Sequence, residues 1–318
     1  MMKPVAHLLI VVVILSGLAL AQNTKRSNQP QDPDLVRLGT IGVNLPVSVL
    51  DKKGRVVTDL TKDNFALYED GEPQQIISLS KEDELPLNLG VLVDASNSVR
   101  PKLKFEKDAA MNFLDTVVRR GQDLALFVIF SSRVELLQDF TDNLEDLRDA
   151  VFSVKAGGPT ALYDSIYRVC EEKMPTAPGR RAIVVLTDGE DTASRHTIDE
   201  AIEMAQKAEV GIYGIGTTNA GPFGVARGVK GAPGSKELNR LAEETGGKTY
   251  FPAELAELDK IFADISAELR GQYVLFYVST NQARDGQFRK IEVKVVDRDD
   301  VRVRVKRGYT APLGESLL

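Results

Sequence analysis

Asp94, Ser96 and Ser98 occupy alternate positions of Asp94-Ala-Ser96-Asn-Ser98, directly after the apolar run Leu89-Gly-Val-Leu-Val93. One carboxylate and two hydroxyls so spaced, just past a strand end, can turn several oxygens toward one point. An all-oxygen donor set suits a hard cation such as Mg²⁺. Alone, the two serines would read as a turn or a helix cap. Two further segments carry matching donors. Thr160 ends the loop Gly157-Gly158-Pro159-Thr160, just before a helical pattern at 161–172. Asp188 follows the apolar run 183–187, and Gly189 lets the chain turn away after it. The candidate ligand set is therefore Asp94, Ser96, Ser98, Thr160 and Asp188. Its two carboxylates balance a divalent cation, and its three hydroxyls coordinate without adding charge. The metal then keeps enough electrophilicity to take one more carboxylate from outside. Mg²⁺ is the first expectation, with Mn²⁺ or Ca²⁺ as alternatives, since a Ca²⁺ buffer would use a denser acidic cluster. Asp164, one helical turn beyond Thr160, is a candidate to hold that loop from behind the ligands, or else a cap of its own helix. Glu190 and Asp191 read as a solvated loop rim.

The elements that must position these residues form an alternating series. Residues 89–93, 124–130, 183–187 and 210–215 are continuous apolar runs, as expected of strands covered on both faces. Residues 134–137 and 249–251 read as short edge strands. Amphipathic helices are predicted between them. One starts near Pro101, one at a capping box of Thr197 and Glu200, and one at Ser235, stopped by Gly246 and Gly247. The longest runs over 253–270, with Leu255, Leu258, Phe262, Ile265 and Leu269 on its apolar stripe. Such a series gives an α/β fold: a doubly wound, mostly parallel sheet with helices on both faces. Ligands in these sheets gather at the carboxyl ends of strands. The glycine-rich stretch 221–234 interrupts the series as an exposed loop.

Both ends of the chain are strand-like instead. Val47 and Val49 alternate with Ser48, and Asp70-Gly71 is a hairpin signal. Further on, Ile291, Val293 and Val295, then Val301, Val303 and Val305, alternate with polar residues. Neither end has enough strands to close a sandwich alone. We expect residues 36–82 and 272–311 to form one discontinuous β-sandwich, with the α/β domain of 87–270 inserted into it. Arg302, Arg304, Lys306 and Arg307 read as a solvated basic edge that deters aggregation.

Residues 1–21 have the order of a secretory leader. Lys3 is followed by an almost wholly apolar run from Leu8 to Leu20, then by small residues ending at Ala21. The run is short for a span of about 20 residues, so cleavage is favoured over a retained membrane anchor. Polar residues 22–35 read as a flexible linker. An exported protein is expected, periplasmic or secreted, with no stable membrane insertion after cleavage. The net charge of −6 argues against a nucleic-acid partner. Cys170, the only cysteine, lies on a helical apolar stripe and reads as a buried structural thiol. His7 falls in the leader and His196 stands alone, which leaves little material for histidine-based zinc sites or catalytic triads.

The segments Asp94-Ala-Ser-Asn-Ser98, Gly157-Gly-Pro-Thr160-Ala-Leu-Tyr-Asp and Val185-Leu-Thr-Asp188-Gly, in this order, resemble the von Willebrand factor A-type domain over residues 87–270. The resemblance implies a metal-ion-dependent adhesion site. Ser96 and Ser98 would then bind the cation directly, Thr160 directly or through water, and the two aspartates largely through water. The open position would take a Glu or Asp of a protein partner. Pro159 departs from the pattern and stiffens the loop. The flanking segments, including Asp285-Gly-Gln-Phe-Arg-Lys290-Ile and Arg307-Gly-Tyr309, are similar to exported bacterial proteins that carry such a domain.

The leading expectation is an exported, non-enzymatic module that binds a protein partner through the cation. A metal-dependent phosphoester hydrolase is the alternative from a different class. It lacks a spare histidine, a lysine in the ligand segments and an evident general base. A structural envelope protein with a vestigial site is the third reading, and the complete ligand set weighs against it.

Overall fold

The computed structural model describes residues 40–81, 86–177, 179–187, 190–217, 234–252 and 256–314. The predicted leader and linker, and most of the glycine-rich stretch, lie outside the described residues. The first strands are β1 (Gly42–Asp51), β2 (Phe65–Glu69), β3 (Glu72–Gln74) and β4 (Ile76–Lys81). The α/β series follows as β5 (Leu87–Asp94), α1 (Leu103–Val117), β6 (Leu124–Phe130), β7 (Val134–Thr141), α2 (Leu144–Ser153), α3 (Leu162–Glu172) and β8 (Arg180–Thr187). It continues through α4 (Ile198–Lys207), β9 (Gly211–Gly216), α5 (Ser235–Thr245), β10 (Thr249–Tyr250) and α6 (Ala256–Arg270). The last strands are β11 (Tyr273–Val278), β12 (Phe288–Val295), β13 (Val301–Arg304) and β14 (Gly308–Thr310).

The central sheet runs β10-β9-β8-β5-β6-β7. All its neighbours pair in parallel except β7, which is antiparallel at the edge. β5 is buried along its whole length, which is why its sequence lacks polar alternation. Leu89, Val91 and Val93 pack toward α1, α2 and α6, while Leu92 packs toward α3, α4 and α5. Cys170 is buried in that second layer, and burial pushes its thiol well above the ordinary range, as expected of a structural cysteine. From β5 the chain steps to β6 on one side, and from β8 to β9 on the other. The crevice between the carboxyl ends of β5 and β8 is thus a topological switch point. No helix among the described residues is long and apolar enough to cross a membrane.

The strands of the two chain ends form two four-stranded antiparallel sheets, β13-β1-β11-β4 and β14-β12-β2-β3. Each mixes strands from both ends. Buried residues alternate with half-buried ones along β2 and β11 and with exposed ones along β12, and the inward apolar residues share one core. At one end of that core the carboxylate of Glu69, only 2% exposed, accepts three hydroxyls. They come from Tyr277 at 2.6 Å, Ser279 at 2.5 Å and Tyr309 at 3.1 Å. Residues distant in the chain thereby share one buried acceptor.

Several details differ from the sequence reading. α2 was not foreseen, and β7 runs to Thr141 where only 134–137 had been expected to be a strand. The basic residues near the C-terminus are not a solvated edge. Arg304 Nη1 donates to both carboxylate oxygens of the buried Glu268 of α6, at 2.6 and 2.7 Å. Lys306 is buried and donates to the Gln206 carbonyl at 3.3 Å, and Arg307 pairs with Glu243 and Glu244 of α5. Only Arg302 faces solvent without such a role. The other three fasten this segment to the helices of the α/β part. Where the chain enters and leaves the α/β part, Asp123 accepts from the Leu87 N–H, Arg119 and Arg270.

Candidate metal centre

The residues of the first ligand segment are fixed by their own loop. β5 ends at Asp94, and Ala95 N–H still donates to the Phe130 carbonyl at 2.8 Å, so the strand edge holds the turn. Asp94 is fully buried. Its Oδ1 accepts the Ser96 N–H at 2.8 Å, and its Oδ2 accepts the Thr187 hydroxyl at 2.7 Å. The carboxylate is thus oriented from both sides, by its own turn and by the end of β8. Ser96 is buried and Ser98 exposed, and their Oγ atoms lie 2.8 Å apart.

That contact is an ordinary hydroxyl–hydroxyl hydrogen bond, with either oxygen as donor, and it keeps the two oxygens side by side. The donor chemistry, a carboxylate with neutral hydroxyls, fits a hard cation.

Thr160 is brought to the same edge by reciprocal backbone bonds. Gly157 N–H donates to the Ala95 carbonyl at 2.7 Å, and Asn97 N–H donates to the Gly158 carbonyl at 2.8 Å. Gly158 has φ of 89°, a conformation that suits glycine, and a side chain there would press on Ser132. Thr160 is 4% exposed. The structure therefore joins the loops of Asp94, Ser96, Ser98 and Thr160. Asp188, the next residue after β8, lies outside the described residues.

A clasp behind Thr160 was missed by the sequence reading. The Thr160 N–H donates to the Thr192 hydroxyl at 2.9 Å, and its carbonyl accepts from the N–H groups of Thr192 and Ala193. Asp191 accepts from the Tyr163 N–H and from the Ser194 hydroxyl, so it is not simply the solvated rim that was expected. Asp164 Oδ1 accepts from the Arg195 and His196 N–H groups and lies 2.8 Å from His196 Nδ1. Burial pushes the Asp164 carboxyl up, but the hydrogen bonds from His196 and Arg195 outweigh it and hold it below the ordinary range. The His196 ring stacks on Tyr167 with centroids 3.8 Å apart. Asp164 thus ties the loop at 191–196 to the start of α3. Thr187 was missed too. Its signal was one hydroxyl inside an otherwise aliphatic strand end, immediately before Asp188.

A doubly wound sheet with oxygen donors gathered at its switch crevice defines an α/β domain built around a candidate cation site. The sequence model of the von Willebrand factor type A domain matches residues 88–264, more than half of the chain, and the chain belongs to that family. A protein of Borreliella burgdorferi described as uncharacterized is 22% identical over 240 residues, covering 70% of this chain and 67% of its own length. The von Willebrand factor type A structure from Catenulispora acidiphila is similar at a TM-score of 0.49 and 13% identity, over 88% of this chain and 76% of that one. Proximal thread matrix protein 1 from the mussel byssus, with a zinc-occupied metal-ion-dependent adhesion site, is similar at a TM-score of 0.48 and 18% identity, over 63% of this chain. This chain spans 49% of the mussel chain, about half its length.

Proposed function

We propose that the chain is an exported, metal-dependent protein-binding module, and that Asp94, Ser96, Ser98, Thr160 and Asp188 hold its cation. The observation that carries the reading is a buried Asp94 oriented through both oxygens, with the neighbouring Ser96 and Ser98 hydroxyls on its own turn and the Thr160 loop bonded to that turn. When bound, Mg²⁺ would supply a Lewis-acidic position able to accept a carboxylate. The chain's own residues do the rest. Ser96 and Ser98 present neutral oxygens, which add no negative charge to that of the two aspartates. Thr187 and the Ser96 N–H fix Asp94. The 191–196 segment holds Thr160 in place. Asp164 serves that clasp and stands behind the ligands.

The partner in this reading is a protein that donates a Glu or Asp side chain. His196, the only histidine outside residues 1–21, meets Asp164 through Nδ1 and stacks on Tyr167, so it serves the clasp behind Thr160. Residues 1–21 are read as the leader that exports the chain. The discontinuous sandwich of 36–82 and 272–311 is read as a separate domain that carries the binding module.

The test is a thermal unfolding series of the mature chain with Mg²⁺, Mn²⁺ or EDTA, beside partner capture from envelope extract under the same conditions. Mg²⁺ should raise the midpoint in the wild type and not in Asp94→Ala, and capture should be lost in EDTA. A midpoint indifferent to every cation, with capture unchanged by EDTA, would overturn the proposal.

A further inference from the structure

Three loops meet around Ser98, and each carries an exposed cation. Arg100 follows the ligand turn, Arg133 lies in the β6–β7 turn, and Lys155 precedes Gly157. The Arg100 guanidinium donates to Asn97 Oδ1 at 3.4 Å and to the Ala156 carbonyl at 3.3 Å, bridging the first loop and the third. The β6–β7 turn comes against the third loop at Gly158, whose Cβ position would lie 3.3 Å from the Ser132 N and Oγ atoms. Ser131 N–H donates to the Arg133 carbonyl at 2.9 Å and fixes that turn.

Among the described residues, none of these three cations forms an ion pair with a carboxylate. Some other surface cations are paired, as in Arg168–Glu172, Lys173–Asp139 and Lys260–Asp264. The nearby acids are mostly turned away. Asp94 is buried, and Asp191 and Asp164 are committed to the start of α3. Glu135 and Glu190 are the exposed acids close to this edge in the chain. Arg100, Arg133 and Lys155 are thus three exposed cations with no carboxylate partner among the described residues, on a chain whose net charge is −6.

We infer that the partner presents an acidic segment, in which Asp or Glu side chains flanking the metal-directed carboxylate are met by Arg100, Arg133 and Lys155. This rests on the proposed metal reading and adds a selectivity to it. A short acidic peptide fits better than a nucleic acid or a sulfated polysaccharide. The basic area is small, and a long polyanion would run onto the acidic remainder of the surface. Contacts of this exposed kind set selectivity and association rate, and salt screens them.

The experiment uses the mature chain with three labelled twelve-residue peptides built on Gly, Ser and Leu. One has a single central Glu, one has that Glu flanked by three more, and one has four Gln. A heparin fragment and a DNA oligonucleotide are added as other polyanions. Affinities are measured in Mg²⁺ at low and at physiological salt, and cation binding is followed separately by Mn²⁺ titration. The four-Glu peptide should bind about tenfold more tightly than the one-Glu peptide at low salt. The advantage should shrink with salt and vanish in the triple variant Arg100→Ala, Arg133→Ala, Lys155→Ala. That variant should still bind Mn²⁺, because none of its three positions is a proposed ligand.

Equal binding of the one-Glu and four-Glu peptides, or no binding of the four-Glu peptide in Mg²⁺, overturns the inference. So does tighter, Mg²⁺-independent binding of heparin or DNA. If Mn²⁺ binds and is lost in Asp94→Ala, these failures leave the metal reading standing. If Mn²⁺ does not bind, it is the metal reading that fails.

Discussion

The Thr187 hydroxyl donates to Asp94 Oδ2 at 2.7 Å, across the ends of the two strands that flank the switch crevice. It fixes Oδ2 of a buried carboxylate whose Oδ1 is held by its own turn. Outer-shell partners of this kind typically contribute ten- to a hundredfold in metal affinity. Thr187→Val keeps the shape and removes the donor. It should weaken Mn²⁺ binding by about tenfold, read by titration calorimetry. An unchanged affinity would show that the Asp94 orientation does not depend on β8.

Cation binding to the native state stabilises it by mass action, by about 2.7 kcal/mol at roughly a hundred times Kd. For a domain of this size that corresponds to a rise of about 5 °C in the unfolding midpoint. Ser96→Ala and Ser98→Ala should each reduce the rise. A full rise in both variants would show that neither hydroxyl is a ligand.

The clasp on α3 is tested at Asp164. Asp164→Ala removes the acceptor for two N–H groups and the His196 ring. The expected cost is about 2 kcal/mol in urea unfolding. Hydrogen exchange at Arg195 and His196 should speed up as well. Unchanged protection of those amides would mean that the segment is held without Asp164.

Acid sensitivity should appear at the junction of the two parts. Burial raises the Asp123 carboxyl, but hydrogen bonds from Arg119, Arg270 and the Leu87 N–H outweigh it and hold it at about 2. Its folded value lies below its unfolded one, so its stabilisation is present above about pH 4 and is lost as the pH falls toward 2. The loss is on the order of 2 kcal/mol. Asp123→Asn should lower stability at pH 7 and flatten the dependence between pH 4 and 2, as followed by denaturant midpoints.

Glu69→Ala should leave the hydroxyls of Tyr277, Ser279 and Tyr309 without their buried acceptor. A loss of about 3 kcal/mol is expected, with Glu69→Gln recovering part of it. Urea unfolding of the two variants side by side gives the comparison. A neutral Glu69→Ala would mean that water replaces the carboxylate.

The central sheet was legible because strands covered on both faces carry unbroken apolar runs, as β5 and β8 do. The ends of the strands were less so. Val134 to Thr141 is an edge strand with half-buried residues, and its period fades after Leu137. α2 was missed because only Leu147, Ala150 and Val151 are buried on its ten residues. The place of the first candidate segment at a strand end could be read from the apolar run before it, since β5 stops at Asp94. The groups that steady the candidate ligands could not. Asp164 and His196 are 32 residues apart, as are Thr160 and Thr192, and only the fold brings them together. Arg304 and Lys306 misled for the same reason. A basic alternation looks solvated until the helix carboxylate and carbonyl that receive it are placed opposite.

The mixed parentage of the two small sheets also sets an order of events. β1 pairs only with β11 and β13 among the named strands, and the Ile41 N–H meets the Gln282 side chain across 241 residues. Closing so long a loop carries a large entropic cost and is slow unless the intervening chain is already compact. An α/β part that folded before the two chain ends met would shorten that search, since its own ends are drawn together at Asp123. β1 can gain β11 only once Tyr273–Val278 has been made and β13 only after Val301–Arg304, so during synthesis its long-range pairing waits for the C-terminal strands.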